Sequence, residues 1–247
     1  MHADATTTTI DALAARIETC ERCPELRAYC ARIATEKKRA HRDETYWGRP
    51  VAGFGDPLAR VLLVGLAPGA HGSNRTGRMF TGDASGVWLY RALHRAGFAN
   101  QPEQRDRSDG MKLHDAFITA ALRCAPPGNM PTPIQRERCF PYLVAEMRAL
   151  ARLRVVVGLG AIGTTAARAA LIAAGYAFCG PHRFGHGSES TATQAAAPPL
   201  TLLSSYHPSR QNTNTGVLTE PMLDAIFTRA RSLAGQGQLA RSSNPRP

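Results

Sequence analysis

RVLLVG at residues 60–65 leads directly into LAPGAHGSNRTGRMFTGD at residues 66–83. A short apolar run that ends in a glycine-rich loop is typical of a strand buried on both faces, as in a parallel sheet. Helical patterns separate this run from three others, and alternation of this kind predicts a three-layer α/β/α fold with a central four-stranded parallel sheet. The other three strands are predicted at FITAAL (117–122), RVVVGL (154–159) and LTLLSS (200–205).

The remaining pattern predicts helices and one continuous domain. Helices are expected at 10–20, 84–96, from Pro133 onward, 161–174, and from Thr219 to about Ala234. The polar, glycine-containing stretches 185–199 and 235–247 predict a loop and a flexible tail. We therefore expect a single domain over 1–247, ordered from about 10 to 234.

The charge balance favours a polyanionic partner. The 247 residues include 30 Lys and Arg against 19 Asp and Glu, a net charge of +11. Such an excess points first to nucleic acid, although a basic enzyme without nucleic acid is the alternative. No run of about 18 apolar residues predicts a membrane span, and the N-terminus has no secretory pattern. An intracellular, cytoplasmic protein is expected, with cysteines that are reduced or bind metal.

Polar loops follow three of the four predicted strands. They are the first loop (66–83), the second loop RCAPPGN (123–129) and the third loop SSYHPSRQNTNTG (204–216). Because sites in open α/β sheets form beyond the carboxyl ends of the strands, we expect these loops to meet at one edge.

The first loop contains several candidate site residues. Its glycines, among them Gly65 and Gly69, allow close approach of a ligand, and Arg75 and Arg78 are candidates for phosphate contacts. Phe80 is either a stacking face for an extruded base or a core anchor for the loop.

Asp83 and His207 are the candidates for chemistry. Asp83 is the only carboxylate in the three loops, but it also precedes a predicted helix and is a candidate N-cap. In the third loop, His207 is either a hydrogen-bond donor to a leaving base or an ordinary loop histidine.

The cysteine spacing suggests a metal site. Cys20 and Cys23 form a C-x-x-C pair, and Cys124 and Cys139 are separated by fourteen residues. Four thiolates suit either a tetrahedral zinc ion or an iron–sulfur cubane, and unrelated reduced cysteines are the alternative. The other two cysteines, Cys30 and Cys179, are expected to be small buried side chains.

Together these segments resemble the fifth family (family B) of uracil-DNA glycosylases, an iron–sulfur type. The similar segments are residues 65–83, 123–129 and 207–212, with WGRPVAGFGDP at 47–57 and the spacing of the four cysteines. The resemblance covers about residues 20–230. It implies a structural [4Fe–4S] cluster held by Cys20, Cys23, Cys124 and Cys139. It also implies a monofunctional glycosylase that excises uracil, hypoxanthine and xanthine from DNA and so initiates base-excision repair.

The same resemblance implies individual roles. Phe80 would stack on the extruded base, Asn129 would read its edge, and His207 would face the leaving base or sugar, while Arg210 enters the duplex. Asp83, His207 and Asn129 are thus the expected catalytic residues. The expected substrate-binding positions are Gly65, Ala67, Pro68, Gly69, Phe80, Ser209, Arg210, Gln211 and Asn212. We expect a monomer that acts on double-stranded DNA.

One departure from the wider superfamily shapes the expected mechanism. The position where the best-known uracil glycosylases have a water-activating Asp or Asn is Ala67, and Leu66 replaces the Glu of another iron–sulfur branch. Bond cleavage before water attack would then leave Asp83 to provide negative charge near the sugar or to hold the water.

Three other functions fit parts of the sequence. GLGAIG at 158–163 matches a dinucleotide-binding turn, but 171–188 contains no acidic residue to bind a ribose, so a tight helix-packing turn is favoured. A DNA-binding member with little or no catalytic activity is motivated by Ala67. A branch that traps its product on a histidine would involve His71, although the basic insertion typical of that branch is missing.

Overall fold

The computed structural model describes residues 9–181, 183–195 and 197–242, with side chains described up to residue 235. Within these residues, no helix is both long enough and apolar enough to cross a membrane. The helices are α1 (Ile10–Glu18), α2 (Pro24–Glu36), α3 (Ser73–Thr76), α4 (Ala84–Arg95), α5 (Pro133–Ala149), α6 (Gly160–Ala173), α7 (Arg210–Asn214) and α8 (Glu220–Ser242).

The four predicted strands form the parallel centre of the sheet. They are β2 (Val61–Gly65), β3 (Ala116–Ala120), β4 (Val155–Leu159) and β7 (Ala197–Ser205). Their spatial order is β3-β2-β4-β7, and every neighbouring pair is parallel.

Three antiparallel strands extend this sheet to seven, so the predicted total of four was too small. β1 (Phe54–Gly55) pairs with β3, while β6 (Glu189–Gln194) pairs with β7 and β5 (Ala177–Phe178) pairs with β6. The loop predicted at 185–199 is therefore wrong, because most of it is strand.

Alternation along β2 explains the three layers. Val61 and Leu63 pack into one core with Leu93 of α4 and Phe227 of α8. Their neighbours Leu62 and Val64 face the opposite core, which contains Leu143 of α5 and Leu171 of α6. Because successive strand residues point to opposite faces, a strand covered by helices on both sides is apolar throughout.

The start of α5 agrees with prediction, whereas α8 ends later than predicted. α5 begins as expected after Thr132, whose side chain and that of Gln135 form a reciprocal capping box. α8 continues to Ser242, although Gly235 was expected to end it near Ala234. The remaining tail residues, 243–247, lie outside the described residues.

The GLGAIG segment is the packing turn between β4 and α6. A methyl group on Gly163 would collide with the carbonyl oxygen of Val64, and one on Gly158 would collide with Thr164. These glycines therefore allow α6 to lie against the sheet, and the segment needs no ligand to account for it.

Candidate active site

The three polar loops leave the same edge of the sheet. The first loop follows β2, the second follows β3 and the third follows β7. Since these strands are parallel, their carboxyl ends lie together, as the sequence predicted. We call this the carboxyl edge.

Phe80 lies between the end of β2 and the third loop. Its ring packs on Gly65, where an added Cβ would be 2.7 Å from Phe80 Cζ. The centroid of the ring is 5.8 Å from that of His207, and the side chain is 9% exposed. Phe80 therefore anchors the loop in the core, with its aromatic ring beside that of His207.

The backbone at Phe80 is unusual and tightly held. Phe80 has φ of +53°, in the left-handed region that a bulky side chain rarely adopts. The first turn of α4 presses against it, because a methyl group on Gly86 would collide with the Phe80 carbonyl oxygen. The position of the aromatic face thus depends on α4.

Asp83 is the N-cap of α4, one of its two predicted roles, and its second carboxylate oxygen faces the first loop. Asp83 Oδ1 accepts a hydrogen bond of 3.0 Å from Gly86 N at the N-terminus of α4. Asp83 Oδ2 points toward the first loop, where an added Cβ on Gly69 would lie 3.0 Å away. Burial raises the pKa of Asp83, although the amides of Gly86 and Ser85 oppose this shift.

Two side chains hold the backbone beside Asp83, and sequence reasoning missed one of them, Gln104, while giving Arg75 a different role. Gly82 N donates a 2.6 Å hydrogen bond to Gln104 Oε1, and Arg75 Nη2 donates a 2.8 Å bond to Gly82 O. Gln104 lies in a polar loop whose pattern gives no indication of such a contact. A cavity of about 520 Å³ opens here, with Glu44, Gln104 and Asp83 in its lining.

The third loop places His207 on a short rigid turn. Asn212 Nδ2 donates a 2.9 Å hydrogen bond to His207 O, and Ser209 caps α7 through its bond from Asn212 N. Part of the predicted third loop is therefore a helical turn, α7. Arg210 and Gln211 at its start are exposed and available to a duplex.

Burial lowers the pKa of His207 to about 4, so we expect a neutral imidazole at pH 6. In the unfolded chain the ring titrates near 6.5, and between these values only the unfolded chain binds the proton. The stability that His207 contributes should therefore fall as pH drops through about 6.5 toward 4. Two-dimensional NMR titration should give a midpoint near 4, and His207→Gln should lose less stability than wild type between pH 7.5 and 5. A midpoint near 6.5 would contradict this.

Several predicted residues have different surroundings from those expected. Arg75 pairs with Glu44 and Arg78 pairs with Asp109 at 2.6 Å, and both arginines are at most 9% exposed. Their guanidinium groups are held in ion pairs within the protein, which disfavours the expected phosphate contacts. Asn129 is exposed on its own turn with φ of +57°.

Three of the four predicted ligands lie together, while Cys20 packs against a separate cluster that contains Ile17 and Tyr142. Cys23, Cys124 and Cys139 share one buried cluster, against which Ala67 of the first loop packs. Burial raises the pKa of Cys139, and the nearby Cys23 and Cys20 raise it further. No group of three or more His, Cys, Asp or Glu side chains in the described part of the chain has an arrangement that could hold a metal ion.

The two remaining cysteines differ from each other. Cys30 is fully buried beside this cluster, as expected. Cys179 is exposed, so the prediction of a buried side chain there was wrong.

This combination of a parallel-centred α/β sheet and three loops at its carboxyl edge matches a known class. The profile of the uracil DNA glycosylase superfamily matches residues 52–231, which include all three loops. The chain belongs to this superfamily.

Curated relatives resolve the branch within it. The type-5 uracil-DNA glycosylase of Mycobacterium bovis is 50% identical over 224 residues, 90% of this chain and 81% of the relative. That of Mycobacterium leprae is 48% identical, covering 92% and 96% of the two chains, and that of Thermus thermophilus is 46% identical, covering 91% and 98%. The fifth family expected from the three loops is confirmed.

Proposed function

We propose that this protein excises uracil from DNA with Phe80, Asp83 and His207 as the centre of the site, and that it thereby starts base-excision repair. Its family supports the excision of uracil. The observation that carries the residue roles is the position of the Phe80 ring, whose centroid lies 5.8 Å from that of the His207 ring. Phe80 is on the same loop as Asp83, the only carboxylate of the three loops.

The flipped base would stack on the exposed part of Phe80. Gly65 allows the ring to lie directly against the strand end, and this fixes the stacking plane. Flipping a base costs a few kcal/mol and costs least at a mismatch or lesion, so the site favours a deaminated base opposite a wrong partner. Asn129, exposed on the second loop, would then read the base edge.

His207 would stabilise the departing base as a neutral donor. A neutral imidazole has one N–H group. This group would donate a hydrogen bond to a carbonyl oxygen of the base while the electron pair of the breaking N-glycosidic bond moves onto the base. Because burial disfavours an imidazolium here, His207 acts by hydrogen bonding while the base leaves as an anion.

Asp83 would act on the sugar side. Its carboxylate provides negative charge near the oxocarbenium-like sugar and accepts a proton from the water that adds to C1′. The proton subsequently reaches the released base. Ala67 has no group for this task, and the Ala67 side chain packs toward the cysteine cluster instead.

We further propose that Cys20, Cys23, Cys124 and Cys139 hold a [4Fe–4S] cluster. The type and burial of the donors support this, because three of the four thiols are at most 7% exposed and an arginine lies near each of these three. The described thiols do not themselves form a metal-holding arrangement in this structure. Four thiolates would accept either a zinc ion or a four-iron cubane, and the family resemblance favours the cubane. When bound, the cluster supplies cross-linking of α2, the second loop and α5 rather than chemistry on the base.

The substrate range is proposed to include hypoxanthine and xanthine in double-stranded DNA, with the protein acting as a monomer. Without a polar side chain at position 67, the site has fewer groups that discriminate among deaminated bases. Arg210 and Gln211 are exposed at the third loop, where they could occupy the gap that flipping leaves in a duplex.

The test is single-turnover excision from labelled duplexes containing one uracil, hypoxanthine or xanthine, followed by alkaline cleavage of abasic sites. We expect breaks at each lesion and none in an undamaged duplex. Cleavage at uracil alone would refute the broader range. Tight lesion binding without any break would instead favour the catalytically inactive DNA-binding function, which Ala67 motivates.

A further inference from the structure

A cationic segment outside the three loops lies against the first of them. Residues 37–49 form the first part of the connection from α2 to β1, and we call them the basic strap. Lys38, Arg39, Arg42 and Arg49 in this segment have exposed side chains. Exposed charge alone would be consistent with an ordinary solvated surface, so the location of the strap decides its interpretation.

The strap is fastened to the first loop by both backbone and side-chain bonds. Trp47 N donates to Arg75 O at 2.8 Å, and Gly48 N donates to Asn74 O at 3.0 Å. The Tyr46 hydroxyl pairs with His71 Nδ1 at 3.1 Å and accepts a bond from Lys38 N at 3.3 Å. These bonds fix the cationic residues relative to the first loop.

The strap also borders the cavity beside Asp83. Glu44 and Thr45 line the same cavity of about 520 Å³ as Asp83 and Gly82. The cationic residues at 38, 39 and 42 precede these lining residues by only a few positions. The strap therefore borders the site rather than a remote face.

The acidic residues of the strap neutralise only part of its positive charge. Glu44 is engaged by Arg75 and by His41, whose Nδ1 lies 2.6 Å from Glu44 Oε1. Burial lowers the pKa of His71, and the positive charges of Lys38 and His41 lower it further. The positive charges of the strap therefore act on His71 of the first loop, and such a surface attracts a polyanion.

We propose that the basic strap binds the DNA backbone beside the flipped nucleotide, with Lys38, Arg39 and Arg42 contacting its phosphates. The inference rests on the proposed function, because it requires DNA at the carboxyl edge. It supplies the cations that the buried Arg75 and Arg78 cannot provide. Since phosphate contacts carry no sequence information, the strap would contribute affinity for DNA of any sequence.

The experiment compares two charge-matched variants over a range of salt concentrations. One replaces Lys38, Arg39 and Arg42 by Gln. The control replaces Lys112, Arg148 and Arg152, which are exposed near the amino ends of β3 and β4, away from the site. Each phosphate contact contributes about 0.9 to the slope of log K against log salt. We expect the magnitude of this slope to be smaller by about 2 to 3 in the strap variant than in wild type. The control variant should keep the wild-type slope.

Catalysis at saturating protein separates this inference from the proposed function. In low salt the strap variant should keep single-turnover excision within about twofold of wild type, because the strap contacts no reacting atom. If wild type excises uracil and both variants show the wild-type slope, the strap inference is overturned while the function stands. If wild type neither binds nor cleaves uracil-containing DNA, the proposed function itself fails.

A second measurement locates the contacts. Duplexes with single neutral methylphosphonates near the uracil should weaken wild-type binding at the phosphates that the strap contacts. The strap variant should show no further weakening at those positions, and the control variant should behave as wild type. Equal weakening of all three proteins at every position would overturn the assignment.

Discussion

Replacement of Asp83 by Asn should reduce single-turnover uracil excision by roughly 10²- to 10⁴-fold, the range for loss of a positioned acid–base group. The fold should survive, because Asn caps helices as well as Asp does and Asp83 caps α4 through Gly86 N. DNA affinity should stay near wild type. The measurement is the rate at saturating enzyme, with binding assayed separately on an uncleavable analogue.

Asp83→Ser is the matched control for the capping role. Ser also caps well but has no carboxylate, so its activity loss should equal that of Asn while unfolding midpoints remain similar. Near-normal excision by either variant would show that Asp83 is only a cap. Since burial raises the pKa of Asp83, wild-type activity should decline on the acid side at a higher pH than for an unperturbed aspartate.

Replacement of Cys139 by Ser should remove the proposed cluster and much of the stability. The side chain is 7% exposed in the same core as Cys23 and Cys124, so loss of a ligand leaves the remaining thiols without a shared partner. Since metal binding contributes folding free energy, we expect a loss of roughly 3 kcal/mol or more, about 10 °C in Tm for a chain of this size. Iron content and visible absorbance, measured on anaerobically purified protein, should fall together with Tm.

Cys179→Ser provides the control, since Cys179 is exposed. It should keep the iron, the colour and the wild-type Tm. If Cys139→Ser proves insoluble, Cys20→Ser tests the same point from a half-buried position. Full iron content in both ligand variants would remove these residues from the ligand set, and zinc in wild type in place of iron would replace the cubane with a single-ion site.

The sequence was sufficient to predict the four central strands because their apolar runs are a strong pattern. β2, β3 and β4 are apolar at nearly every position, a pattern that few other structures produce. β6 was missed because ESTATQ has a single buried residue, Ala192, and owes its structure to pairing with β7. β6 lies between β7 and the two-residue edge strand β5, and little of its surface is buried, so its sequence carries little pattern.

In the candidate site, the positions of the loops were predictable from the sequence and the side-chain contacts between distant residues were not. The three loops were predicted because strand order and parallel pairing determine where they meet. The ion pairs of Arg75 and Arg78 were not predictable, because Glu44 and Asp109 lie 31 positions away from their respective partners. Gln104 acts through its contact with the Gly82 backbone, which no local pattern indicates.

The capping bond of Asp83 has a genetic consequence. An Asp codon becomes an Asn codon when its first G is replaced by A, and an unrepaired uracil opposite that G produces this change at the next replication. Because Asn would cap α4 as well as Asp does, the altered chain would still fold and bind DNA. If Asp83 has the proposed catalytic role, a uracil left in its own codon would therefore yield a folded protein that binds uracil-containing DNA and excises uracil far more slowly.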